Sequence, residues 1–91
     1  MKYVELIFES EVWRIPLNII AKHRAKYYSV KEGEQVYQTE FDYIMKDDDE
    51  GIDWLQNNMD LKDFSDTLIK IKNETNIDWR NSDDASICEI K

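Results

Sequence analysis

The stretch from Pro16 to Lys31, PLNIIAKHRAKYYSVK, constrains the fold more than any other part of this chain. Proline is welcome at the first position of a helix, where its missing N–H would have no intrahelical partner. On a wheel at about 100° per residue, Leu17, Ile20, Ala21, Arg24 and Tyr28 share one face, with Tyr27 at its edge. Asn18, Lys22 and Lys26 fall opposite. Gly33 stands just beyond the end, where a helix commonly closes on glycine. The spacing therefore predicts a basic amphipathic helix over 16–31, and the rest of the chain must supply something for its apolar face to bury.

Arg24 lies near the middle of that face. Its stem can pack while the guanidinium reaches out to water, or the charge can be held inside by a carboxylate. Ile19, with His23 beside it, points away from the main stripe. It is either covered from a second side or one of the isolated apolar residues found on every surface.

The charge distribution says where a carboxylate partner would come from. Residues 1–31 hold six Lys/Arg and three Asp/Glu, residues 32–66 two against twelve, and residues 67–91 four against five. The three segments carry +3, −10 and −1, which returns the net −8 of the chain. Such an acidic chain is a poor ligand for phosphate backbones, so direct nucleic-acid binding is not expected. An acidic middle suits solubility, pairing with the basic helix, or a basic partner surface. The carboxylates able to reach Arg24 from a neighbouring helix are Glu40, Asp42 and Asp53. Glu40 comes first because its own stripe faces inward.

In chain order, Tyr3–Glu9 reads as a strand, with Val4, Leu6 and Phe8 on one face. Ser10-Glu11 forms a turn, and Val12–Ile15 a second strand ending before the proline. Glu34–Asp47 reads as a second helix with the stripe Val36, Tyr37, Glu40, Phe41, Ile44. Ile52–Met59 reads as a short third helix with Ile52, Leu55, Gln56 and Met59 inward, capped by Asp48 or Asp49. Trp54 projects away from that stripe. Asp60–Phe64 is a turn begun by an Asp cap. In Asp66–Lys72, Thr67 and the alternation Ile69, Ile71 favour strand over helix. Asn73–Asp84 is polar connection anchored by Ile77 and Trp79, and Ala85–Ile90 a last strand.

Ninety-one residues make one domain. With three Trp, five Tyr and three Phe there is material for a small core. The expected architecture is α+β: a small, mostly antiparallel sheet of three to four strands, with two to three helices packed on one face. No apolar run approaches the roughly 18 residues of a membrane span. The N-terminus has acidic residues inside its apolar run and is not expected to act as a signal peptide. The single cysteine, Cys88, fits a reducing, cytoplasmic setting; with no secretion signal expected, Asn73-Glu74-Thr75 reads as a chance glycosylation sequon.

Motifs for chemistry are sparse. Asp47-Asp48-Asp49-Glu50-Gly51 invites a calcium-loop reading, but from Asp47 the glycine falls at position 5 and Asn58 at position 12, so the EF-hand spacing fails. With one His and one Cys, a zinc site of the usual ligands is not expected. A His23–Cys88 nucleophile pair would have to be assembled by the fold. With two glycines in all, there is no phosphate-cradling loop. No cofactor, metal or catalytic residue is assigned, and a non-enzymatic protein is expected. The candidate partner-binding residues are Asp47, Asp48, Asp49, Glu50 and Trp54, a charged run beside an aromatic of the kind enriched at interface anchors.

WRIPLNIIAKHRAKYY, EFDYIM and DDDEGIDWLQNNMDLKDF together resemble a family of short uncharacterised proteins of tailed phages, notably those of marine bacteria, over roughly residues 1–65. The resemblance implies a small accessory protein made in a bacterial cytoplasm and carries no activity to any residue. The leading expectation is a binding protein that acts through protein–protein contacts, on a partner or on itself. The alternatives are a virion or scaffold component, a DNA mimic that occupies a host nucleic-acid-binding surface, and a small enzyme or regulatory subunit.

Overall fold

The computed structural model describes residues 2–7, 12–70 and 84–89. The predicted roles of Phe8, Ser10-Glu11, Ile71, the 73–75 sequon, Ile77, Trp79 and Ile90 lie outside those residues.

Two N-terminal strands, β1 (Lys2–Ile7) and β2 (Val12–Pro16), pair antiparallel with Val4 opposite Ile15 and Leu6 opposite Trp13. Because strand side chains alternate, that register puts all four on one face, and all four are buried. A short strand β3 (Ile69–Lys70) joins the free edge of β2, and β4 (Asp84–Glu89) joins the free edge of β1. The result is a four-stranded antiparallel sheet in the order β3-β2-β1-β4. An α+β domain with a small antiparallel sheet is what the alternation and the helical stripes anticipated.

The chain leaves β2 directly into α1 (Leu17–Glu32). Here the structure corrects the sequence reading by one residue. Pro16 is not the first helical residue; it ends the strand opposite Tyr3 and caps the helix with φ −56° and ψ 129°. The φ that proline fixes suits extended backbone as well as helix. Gly33 ends α1 with φ 101°, its N–H bonded to Ser29 O at 2.8 Å. A Cβ at that positive φ would be strained and would also run into the Gln35 side chain.

The second predicted helix is shorter than expected. Glu34–Val36 forms a single 3₁₀ turn, and α2 spans Tyr37–Lys46. The third is longer: α3 spans Asp48–Asn58, capped by Asp47, whose Oδ1 accepts the Glu50 N–H at 3.3 Å. Asp47, and not Asp48 or Asp49, is therefore the cap, and Asp48, Asp49 and Glu50 fill the first turn where the helix dipole favours negative charge. A second Asp cap follows in the turn Leu61–Asp63, where Asp60 and Asp63 each bond the other's backbone N–H.

The helices cover one face of the sheet. Val4, Leu6, Trp13 and Ile15 from the strands meet Leu17, Ile20 and Ala21 of α1, Ile44 of α2, and Trp54, Leu55, Met59 and Phe64 from the segment beyond. Gly51 is buried where α3 crosses the start of α1; an added Cβ would stand 2.7 Å from Leu17 Cδ1. The face that α3 turns inward differs from the sequence reading. Leu55 and Met59 are buried as predicted, but Ile52 and Gln56 are half-buried, and Gly51 and Trp54 take the inner positions.

Candidate functional site

The residues singled out in the sequence converge on α1. Arg24 Nε donates to Glu40 Oε2 at 2.9 Å, linking α1 to α2. The guanidinium carbon also lies 4.5 Å from the ring centroid of Tyr43, 5.0 Å from that of Tyr28 and 5.1 Å from that of Trp54. All three are within cation–π range. The two side chains are 15% and 22% exposed, so the guanidinium is neither reaching free into water nor sealed inside. Three rings and one carboxylate hold it at the seam of the three helices. Of the carboxylates weighed for Arg24, Glu40 takes the role. Asp42 instead accepts from Gln38 and Asp53 from Asn57, each on its own helix. Partial burial, reinforced by the hydrogen-bonded Glu50 carboxylate, raises the Tyr43 hydroxyl above the ordinary tyrosine pKa.

Trp54 is 5% exposed and cannot present its ring to a partner, which corrects its assignment as a contact residue. Its indole N–H donates to His23 Nδ1 at 2.9 Å, and its ring packs against Tyr27 and Tyr28. With Nδ1 accepting, the proton of neutral His23 sits on Nε2, which lies 3.4 Å from Asp63 Oδ2. Asp63 is itself held by the Asp60 N–H at 2.8 Å. His23 thus ties α1 to α3 and to the 61–63 turn. Cys88 pairs with Tyr3 in the register that sends Val4 inward, so it lies on the opposite face of the sheet from the helices. The fold does not assemble a His23–Cys88 pair.

The acidic run is partly engaged within the molecule. Asp47 caps α3, Asp48 Oδ1 lies 3.5 Å from Lys2 Nζ, and Glu50 bonds Tyr43. Asp49 and Asp53, four residues apart on the outer side of α3, are exposed. Among the described residues, no group of three or more His, Cys, Asp or Glu is placed to hold a metal ion. No helix among them is long and apolar enough to cross a membrane.

Sequence reasoning missed one feature. A hollow of about 440 Å³ opens along the flank of α1, lined by His23, Lys26, Tyr27, Val30, Lys31 and Asp63. Lys31 Nζ lies 4.6 Å from the Tyr27 ring centroid, and its hydrogen bond with Tyr27 raises its pKa. Val30 is 80% exposed, a lone apolar residue by the wheel but part of a wall once the 61–63 turn is in place. The basic flank of α1 was legible; the arrival of Asp63 forty residues later was not.

No family model, curated protein or solved structure matches this chain.

Proposed function

We propose that the protein is a small non-enzymatic accessory protein, of the phage kind its sequence resembles, that docks a basic protein surface against the outer side of α3. The observation that supports this most is the division of labour within the acidic segment. Glu40, Asp48 and Glu50 are tied to other elements and Asp47 to the cap of α3, whereas Asp49 and Asp53 stand on one exposed helical face, with Asp53 bonded to Asn57 of its own helix. Fixed carboxylates of one sign steer a basic partner and set its register more than they add affinity.

The test is retention of host proteins on the immobilised chain and on an Asp49→Lys/Asp53→Lys variant, at low and high salt, with mass spectrometry. A single stoichiometric basic partner, lost with the variant and at high salt, supports the reading. Equal retention by both chains refutes it. Displacement of that partner's own DNA would favour the mimic reading within the same scheme.

A second reading, self-association as a structural component, is favoured by the other side of the sheet. Tyr3, Ile7, Val12 and Ile69 share that face, and no described element covers it; Ile69 is 41% exposed. Sedimentation would show a discrete homo-oligomer on this reading and a monomer on the first.

A further inference from the structure

We propose that the hollow beside α1 is a binding site for a small aromatic carboxylate. The site is separate from the acidic face of α3 and does not depend on the docking role given to it. Its volume of about 440 Å³ lies in the range of small-molecule pockets, roughly 300–1,000 Å³. Its walls are of two kinds. Tyr27, 44% exposed as a residue, and the Val30 side chain form an apolar surface that water covers poorly.

The charged groups that no carboxylate answers are cations, although Lys31 gives one of its three donors to Tyr27 and lies 4.6 Å from that ring centroid. Lys26 and Lys31 stand on either side of Tyr27 and Val30, and among the described residues no carboxylate forms an ion pair with either. The one carboxylate in the lining, Asp63, already receives the Asp60 N–H and faces His23 Nε2. A neutral or cationic guest would leave both lysines without a counter-charge. A guest with an apolar ring and one carboxylate matches both walls, ring on Tyr27 and Val30, anion between the two ammonium groups. In a chain of net charge −8, the hollow lies on the basic helix and carries two lysines against one carboxylate.

The back wall supplies a reporter. Tyr27 lies 5.6 Å from Trp54, centroid to centroid, and the Trp54 indole N–H is bonded to His23, which lines the hollow. The experiment is a titration of the full chain, followed by amide and indole N–H resonances, with phenylacetate, its uncharged counterpart phenylacetamide, and acetate. A probe of this size in an open pocket binds on the order of millimolar. Phenylacetate is expected to shift the amides of His23, Lys26, Tyr27, Val30 and Asp63 and the Trp54 indole, with phenylacetamide and acetate each several-fold weaker. Lys26→Ala and Lys31→Ala should each weaken phenylacetate by about two- to fivefold, as exposed ion pairs do, with the indole and amide spectra of the free chain otherwise kept. Equal binding of phenylacetamide, binding untouched by both lysine variants, shifts scattered away from the lining, or no shift at all would each overturn the proposal.

Discussion

The indole N–H of Trp54 donates to Nδ1 of His23 across 31 residues of sequence, at 2.9 Å. That bond is the contact that turns Trp54 from a candidate surface anchor into a strut between α1 and α3. Trp54→Phe keeps a ring in place but removes the donor and leaves His23 Nδ1 without its partner. Loss of one part-buried hydrogen bond and some ring area should lower stability by about 1–3 kcal/mol. The check is the urea midpoint; an unchanged midpoint would mean the bond contributes nothing.

The acidic run separates into structural and surface members. Asp47→Ala removes the α3 cap and should cost about 0.5–2 kcal/mol. Asp49→Ala removes an exposed first-turn charge, but alanine's higher helix propensity offsets the lost dipole interaction, so stability should change by no more than about 0.5 kcal/mol. Thermal melts of the two variants at equal salt decide this, and the reverse order would show that the cap is not Asp47.

Gly51→Ala sets two effects against each other. Alanine gains about 1 kcal/mol of helix propensity over glycine. Its Cβ would meet buried Leu17 Cδ1 at 2.7 Å, and overpacking of that kind costs about 1–3 kcal/mol. A net loss of roughly 1 kcal/mol is expected by chemical denaturation. A gain would mean that Leu17 moves aside freely and that α3 does not lean on α1 at this point.

Tyr43 links the fold to alkaline pH. Its raised pKa means the folded chain favours the neutral phenol. The contribution is therefore present below the unfolded tyrosine value of about 10 and is lost as pH rises through the folded value. Stability measured from pH 9 upward should fall, and Tyr43→Phe, which keeps the ring over Arg24, should flatten that limb. An identical alkaline limb in both chains would remove Tyr43 from the account.

Much of the frame was legible because local periodicity encodes it. Val4, Leu6, Trp13 and Ile15 alternate, and Leu17, Ile20 and Ala21 recur at helical spacing, so their burial follows from the pattern. The contacts at the helix seam are not local. The inward face of α3 depends on what lies against it: Gly51, with no side chain, sits against Leu17, and Trp54 lies inside with its N–H on His23. The hollow beside α1 likewise needed Asp63, forty residues from His23, which no window of the sequence connects. Arg24 was the exception. A charge in the middle of an apolar stripe demands a partner, so Glu40 could be anticipated; the three rings around it could not.

Arg24, held by Glu40 and three aromatic rings where α1, α2 and α3 meet, is expected to fix how the three helices dock. The most direct test is equilibrium denaturation of Arg24→Met, which keeps the stem and removes the charge. A charge-assisted hydrogen bond contributes about 1.5–3 kcal/mol, and cation–π contacts about 0.5–2 kcal/mol. The expected result is a loss of about 2–4 kcal/mol, seen as a lower midpoint with the m-value unchanged. The same midpoint and the same m-value as the parent chain would contradict it and leave the docking of the helices to the apolar stripe of α1 alone.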